Sequence, residues 1–541
     1  MTDASLTRLP IWQKLASSAE KMALTEYHLK NLLSQEDRLE RCSISGGGLF
    51  CDFSRQRVDD QVMGYLLELA ENRKLSEKFR QMMAGQHVNV TEDRAALHTA
   101  ARQFADKPVY DNGRDVIPEI KAVRKQIKDF TAAVHKGDIK GSTGLPFKDI
   151  VVIGIGGSYL GPEFAATALE DQADQGVCLH FLSNVDIDNF GRIAARISAE
   201  TTLWIVISKS YTTTETMANL NQAKEFMKAN GVKPEAHLVT VTSKGSPGDD
   251  PQSPALATFH MFDYIGGRFS VTSAVGGVPL SLYLGYDRFE RFLKGAAEMD
   301  QHAAEAPVQQ NAPLMAALIS VWNNNFLGYK AQGIIPYCSP LSKLAPHVQQ
   351  LYMESNGKAV TIHSAPLDVD SGVIVFGEPG TNAQHSFFQL AHQGRPFPID
   401  FIGVINPAHT EYTATSKGVT NHQELWANLI AQSQALAVGK LDGNPAKSFS
   451  GNRPSSTILI DSLSPENIGR LLSFYEAKTV FEAFVWEINP FDQFGVELGK
   501  TMASDIRKEI ARKNENPDYA IDNRDPIRKF YLEKLFDQGK R

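Results

Sequence analysis

The chain has 541 residues, 42% of them apolar and 22% charged, with a formal net charge of −7. That length bounds three or four domain-sized pieces or two large ones, and the acidic balance argues against a nucleic-acid or membrane-surface partner. The four cysteines, Cys42, Cys51, Cys178 and Cys338, are widely spaced, which offers no disulfide framework or metal-like pairing and fits a reducing cytoplasm.

In chain order, the N-terminus lacks the apolar run and cleavage site of a signal peptide. No apolar stretch approaches the ~18 residues of a membrane span. Residues 1–120 read mostly helical, with Val62, Tyr65, Leu66 and Leu69 at i, i+3, i+4 and i+7. The stretch 89–102 opens with capping residues and predicts a further helix. From about residue 120 to 287 short apolar runs alternate with helical stretches. The runs 149–156, 178–183, 202–208 and 235–243 predict strands of a mainly parallel sheet. The runs 333–339, 372–377, 401–407 and 456–461 predict a second sheet. Residues 443–456 read as loop, and Ser464-Pro465-Glu466 as a helix start. The charged tail, 515–541, predicts a helical arm.

Two loops point to a phosphate. In VVIGIGGSYLG (151–161) a dinucleotide fingerprint would need glycine at 159, where Tyr159 stands. A Walker loop would need lysine after Gly161, where Pro162 stands. What remains is a strand-to-helix turn whose backbone N–H groups, with Ser158, are able to face an anion. The second loop, 208–216, packs six serines and threonines and Lys209 into nine positions before a helix. Hydroxyls and N–H groups at a helix start suit a phosphate monoester. Both loops follow candidate parallel strands, where α/β sheets bind ligands, so together they favour a small phosphorylated ligand.

Four further places carry groups able to do chemistry. In YIGGRFSVTSAVGG (264–277), Arg268 follows two glycines and suits a developing oxyanion. In APHVQQLYMESNGK (345–358), Pro346 can start a short helix and Asn356-Gly357 can end it. Glu354 then lies near the helix C-terminus, where the dipole disfavours its charge and suits a general base. In GTNAQHSFFQLAHQG (380–394), Thr381 or Asn382 can cap a helix with His385 in its first turn, favouring neutral imidazole. In NPFDQFGVELGK (489–500), Gln493 and Lys500 share a face if the stretch is helical, and Lys500 can instead pair with Glu497. Each has an ordinary structural reading when taken alone.

Taken together, GIGGSYLGP, SKSYTTTET, GGRFSVTSAVG, MESNGK, GTNAQHSFFQL, GNRPS and FDQFGVELGK resemble the phosphoglucose isomerases, in that family's order, over residues 89–505. The resemblance implies an α/β fold of two α/β/α sandwich sugar-isomerase domains with mainly parallel sheets. Their expected bounds are 119–287 and 288–514, after a helical N-terminal region, 1–118, that packs on the second domain, and before the arm, 515–541. It implies interconversion of glucose 6-phosphate and fructose 6-phosphate, a step of glycolysis and gluconeogenesis, in the cytoplasm and without metal or other cofactor. It also implies a homodimer with shared sites, in which His385 reaches across to the other subunit.

By matching positions, Gly157, Ser158, Ser208, Lys209, Ser210, Thr213 and Thr216 would hold the phosphate. His385 and Lys500 would open the sugar ring, and Glu354 would move the proton between C2 and C1. Arg268 would stabilise the enediolate oxygen, and Gln350 and Gln493 would position sugar hydroxyls. The chain departs from the commonest pattern at Tyr159, at Ser210-Tyr211, at Thr272 and at Tyr352, and Thr272 and Tyr352 are expected to alter the pocket wall. A sugar-phosphate sensor, and an isomerase that also takes mannose 6-phosphate, are the alternatives.

Overall fold

The computed structural model describes residues 5–522 and 524–537. The chain divides into two compact units, Met1–Phe491 and Asp492–Arg541.

The larger unit holds two main sheets. The N-terminal region begins with helices, among them Pro10–Lys21, Asp60–Asn72 and Leu75–Met83, but it also holds a hairpin, β1 (Ser43–Gly46) and β2 (Leu49–Asp52). The stretch 89–102, expected as a helix, is a turn closed by an Asn89–Arg94 bridge and ends in one 3-10 turn, Ala100–Arg102. Tertiary contacts override its helix propensity. The Arg102 guanidinium is fully buried, with Nε 2.6 Å from Asp300 Oδ2 and Nη1 2.6 Å from Glu476 Oε2.

The first sheet is all parallel: β3 (Asp149–Ile153), β4 (Cys178–Leu182), β5 (Thr202–Ile207), β6 (Leu238–Ser243) and β7 (Ala257–Met261), in the order β4-β3-β5-β6-β7. Sequence reading missed β7, whose run Ala-Thr-Phe-His-Met is too polar to stand out. Strand β5 is buried at every residue, as expected of a central strand with both faces covered. Helices α1 (Leu160–Ala168) and α2 (Thr214–Ala229) follow β3 and β5, and α3 (Ala274–Leu284) and α4 (Tyr286–Glu305) follow the sheet.

The second sheet has the order β1-β2-β11-β10-β8-β9, where β8 is Ala331–Tyr337, β9 Ile374–Phe376, β10 Ile399–Val404 and β11 Ser455–Ile460. Strands β8 to β11 run parallel, and the N-terminal hairpin adds antiparallel to β11 through Leu459–Phe50 and its neighbours. Its helices include α5 (Leu344–Asn356), α6 (Gly380–Gln384) and α7 (Pro465–Trp486). Helix α7 starts at Ser464, whose side chain accepts from Asn467 N, and it is buried along nearly its whole length. A helix apolar or paired on every side is a core helix. Its buried charges are matched, Lys478 Nζ lying 2.7 Å from Glu482 Oε1.

The smaller unit contains α8 (Glu497–Glu515) and α9 (Pro526–Phe536), tied by an Arg528–Glu509 ion pair. Among the described residues no helix is long and apolar enough to cross a membrane.

Candidate functional site

The loops after β3, β5 and β7 leave the same, C-terminal edge of the first sheet, where an open parallel sheet presents ligand sites. After β3 the chain makes a 3-10 turn, Gly156–Ser158, and enters α1. Gly157 lies backbone to backbone on the β7 loop. A Cβ there would stand 2.2 Å from the Gly267 carbonyl carbon and 2.6 Å from Arg268 N, so only glycine fits. Gly156, at φ +58, faces helix α5, where an added Cβ would lie 2.9 Å from Gln350 Nε2. Ser158 is half-buried beside them.

Arg268 is almost fully buried and is held by three acceptors from two other segments. Its Nε donates to Ser355 Oγ at 2.7 Å, Nη1 lies 3.2 Å from Glu354 Oε2, and Nη2 donates to the Pro490 carbonyl. The planar fork of arginine suits such a setting, since each N–H finds its own acceptor in a fixed direction. Glu354 sits in the last turn of α5, capped at Gly357. Its carboxylate is about one-third exposed, so one side faces the guanidinium and the other is open. Gln350, one turn earlier, donates to the same Oε2 at 3.4 Å, while its own Oε1 is buried without a partner among the described residues. Helix α5 and the β3 and β7 loops thus bring Gly156, Gly157, Arg268, Gln350 and Glu354 together. Sequence reading missed Ser355 and the Pro490 carbonyl. Ser355 lies inside the quoted MESNGK motif, whereas a backbone acceptor leaves no signal in a sequence.

The loop after β5 is built around Ser208, which is buried. Its Oγ accepts from Tyr211 N at 3.1 Å and lies 3.4 Å from Thr213 Oγ1. Thr213 is the N-cap of α2 and makes no side-chain capping bond. Ser210 and Thr213 are exposed, whereas Thr216 is buried in the first turn of α2. Lys209 Nζ is turned onto Asp263, 3.1 Å from its backbone carbonyl and 3.3 Å from Oδ1. Burial lowers the basicity of Lys209, and the Asp263 carboxylate opposes that effect. Tyr211 takes a positive φ of 53° and packs its ring on Gly248. Burial pushes its hydroxyl up to about 12.

Other expectations need correction. His385 does not lie in the first turn of a helix. It is the C-cap of the five-residue α6, exposed, with its N–H on Asn382 O at 3.0 Å, so the helix end invoked for it is the wrong one. Gln493 precedes the helical turns and takes extended φ, so it does not share a helix face with Lys500. Lys500 pairs with Glu497 at 2.8 Å on the exposed surface of α8. Both residues belong to the smaller unit. Tyr352 is not a pocket-wall residue. It is 1% exposed in the core, and its hydroxyl donates to Glu482 Oε2 at 2.5 Å. Thr272 is likewise buried. Among the described residues no group of three or more His, Cys, Asp or Glu is placed to hold a metal ion.

The comparisons with known proteins agree with one another. The family model described as phosphoglucose isomerase matches residues 52–523. A curated glucose-6-phosphate isomerase of Desulfosudis oleivorans is 62% identical over 543 residues, covering 100% of both chains. The cytosolic glucose-6-phosphate isomerase of Spinacia oleracea is 42% identical, covering 93% of this chain and 92% of that one. A crystal structure of a glucose-6-phosphate isomerase from Chlamydia trachomatis superposes with a TM-score of 0.89 at 36% identity, covering 98% of this chain and 99% of that one. The chain belongs to the phosphoglucose isomerase family.

Proposed function

We propose that the chain is a glucose-6-phosphate isomerase, converting glucose 6-phosphate and fructose 6-phosphate reversibly through a cis-enediol. Family membership supports the reaction, and the Arg268–Glu354 pair supports the roles. The phosphate anchors the sugar on Ser158 and the hydroxyls and N–H groups of 208–216, including Thr213 and Thr216, with Lys209 and Gly157 completing the cradle. His385, assisted by Lys500, moves the proton that opens the ring. Glu354 then removes the C2 proton, and the electron pair shifts toward the C1 carbonyl oxygen. Arg268 stabilises the charge on that oxygen, a proton passes to it from the C2 hydroxyl, and the same carboxyl delivers a proton to C1 as the C2 carbonyl forms. Gln350 and Gln493 position hydroxyls.

This assignment gives each group a physical task. A buried guanidinium that needs no reorganisation stabilises an oxyanion best. A carboxylate open on one side can still reach carbon. We further propose a cytoplasmic homodimer in which each site combines Glu354 of one chain with His385 of the partner subunit.

The test is Glu354→Gln in the full chain, read by fructose 6-phosphate turnover and by calorimetric binding of the sugar phosphate. Turnover should fall by about 10²–10⁴ while binding remains. Wild-type turnover in the variant would remove Glu354 from the role of base. Mixing Glu354→Gln with His385→Ala chains tests the shared site, because one of two sites in the mixed dimer is intact. Activity above that of either variant alone is expected, and none would argue for self-contained sites.

A further inference from the structure

Lys209 is the only cation in the 208–216 loop, and its ammonium is already engaged. It lies 3.3 Å from Asp263 Oδ1 and donates to the Asp263 carbonyl at 3.1 Å. The Lys209 backbone is pinned as well, its carbonyl accepting from Ser243 N at 3.1 Å and from Thr242 Oγ1 at 3.3 Å. Only the side chain is left to swing. The Asp263 carboxylate is 73% exposed and the Lys209 side chain 35% exposed, so an anion can approach the pair from solvent. Arg94 and Glu92 are the other charges that act on this ammonium. Asp263 follows β7 and stands five residues before Arg268, on the segment that carries the oxyanion donor.

We infer that Asp263 is a specificity-determining residue that competes with the substrate phosphate for Lys209. The inference rests on the reading of 208–216 as the phosphate holder. The carboxylate carries one negative charge and a phosphate monoester close to two near neutral pH, so a dianion displaces it where a monoanion does not. Asp263 therefore keeps the lysine occupied until a phosphate arrives, and it sets how tightly the loop takes one. It acts through Lys209 and touches no reacting atom.

The experiment is calorimetric binding of inorganic phosphate to the full chain at fixed pH and ionic strength, with fructose 6-phosphate kinetics alongside. Four proteins are compared: wild type, Asp263→Asn, Lys209→Ala and the double variant. Asp263→Asn should tighten phosphate binding by about two- to fivefold, the range of an exposed ion pair. KM for fructose 6-phosphate should fall by a similar factor, with a smaller change in kcat. The tightening should vanish in the Lys209→Ala background. Unchanged or weaker phosphate binding in Asp263→Asn overturns the inference, as does equal tightening without Lys209, which would mark a general charge effect. Loss of phosphate binding in wild type overturns it even if fructose 6-phosphate is turned over. Conversely, tightening in a chain without turnover upholds it and sinks the enzymatic reading.

Discussion

Arg268 and the hydroxyl loop both follow strands of the first sheet, yet they are built differently. Arg268 is 3% exposed and tied to Ser355, Glu354 and Pro490, with Gly157 pressed against its backbone. In the hydroxyl loop Ser210 and Thr213 are exposed, and Lys209 is held by a solvent-facing carboxylate. A group that stabilises developing charge gains from being fixed before the reaction. A group that captures a ligand gains from being reachable and exchangeable. On this account the two halves of the site fail differently, the packed half in turnover and the open half in affinity.

That contrast can be broken or sharpened by substitution. Arg268→Lys should lower kcat by about 10²–10³ with a much smaller change in KM, since lysine cannot satisfy three acceptors in a plane. Steady-state kinetics reads the split, and a loss confined to KM would place Arg268 with the binding groups. Gly157→Ala should come next, at about 10²-fold in kcat, because the added carbon displaces the Arg268 backbone. Wild-type turnover in this variant would show that the β3 and β7 loops can part without consequence. Thr213→Val, on the open side, should raise KM by about ten- to a hundredfold, the scale of a hydrogen bond to a charged ligand, and should leave the melting temperature in place. A fall in kcat instead would mean that the open half is as rigid as the packed one.

The smallest effect on activity is expected at His347, which measures the packed half by its stability. Burial holds this imidazole down to about 4, stacked on Phe164 at 5.7 Å with its Nε2 unpartnered among the described residues. Its folded pKa lies below the unfolded value near 6.5, so the unfolded chain binds the proton first. Stability from this group is therefore full above about pH 6.5 and falls at up to about 1.4 kcal/mol per pH unit toward pH 4. Denaturant titrations of His347→Phe should show a shallower acid slope than wild type. An identical slope would assign the acid sensitivity to other buried histidines such as His98.

Much of this frame was readable from local pattern. The strands at 149–153 and 202–207 fall inside apolar runs picked out in the sequence, and those at 399–404 and 455–460 overlap theirs, each starting one or two residues earlier. The helix start at Ser464 and the helix end at Asn356-Gly357 follow from capping chemistry. What stayed hidden depends on residues far apart in sequence. The four-residue hairpin strands at 43–52 are defined by β11, some four hundred residues away. The expected helix at 89–102 yields to the burial of Arg102 against Asp300 and Glu476. Tyr352, which looked like a pocket substitution, is a core residue because Glu482 and Lys478 of α7 stand behind it. Glu354 and Arg268 could be singled out by type and motif, but their 3.2 Å approach, and the Ser355 and Pro490 contacts that fix it, arise only when two loops and a helix meet.

The most direct test is fructose 6-phosphate isomerisation by the full chain in deuterium oxide with a chelator present. The account predicts that glucose 6-phosphate forms despite the chelator and carries some deuterium at C2, with product and label both falling by about 10²–10⁴ in Glu354→Gln. No glucose 6-phosphate, or turnover that the chelator abolishes, would contradict proton transfer by the Glu354 carboxylate.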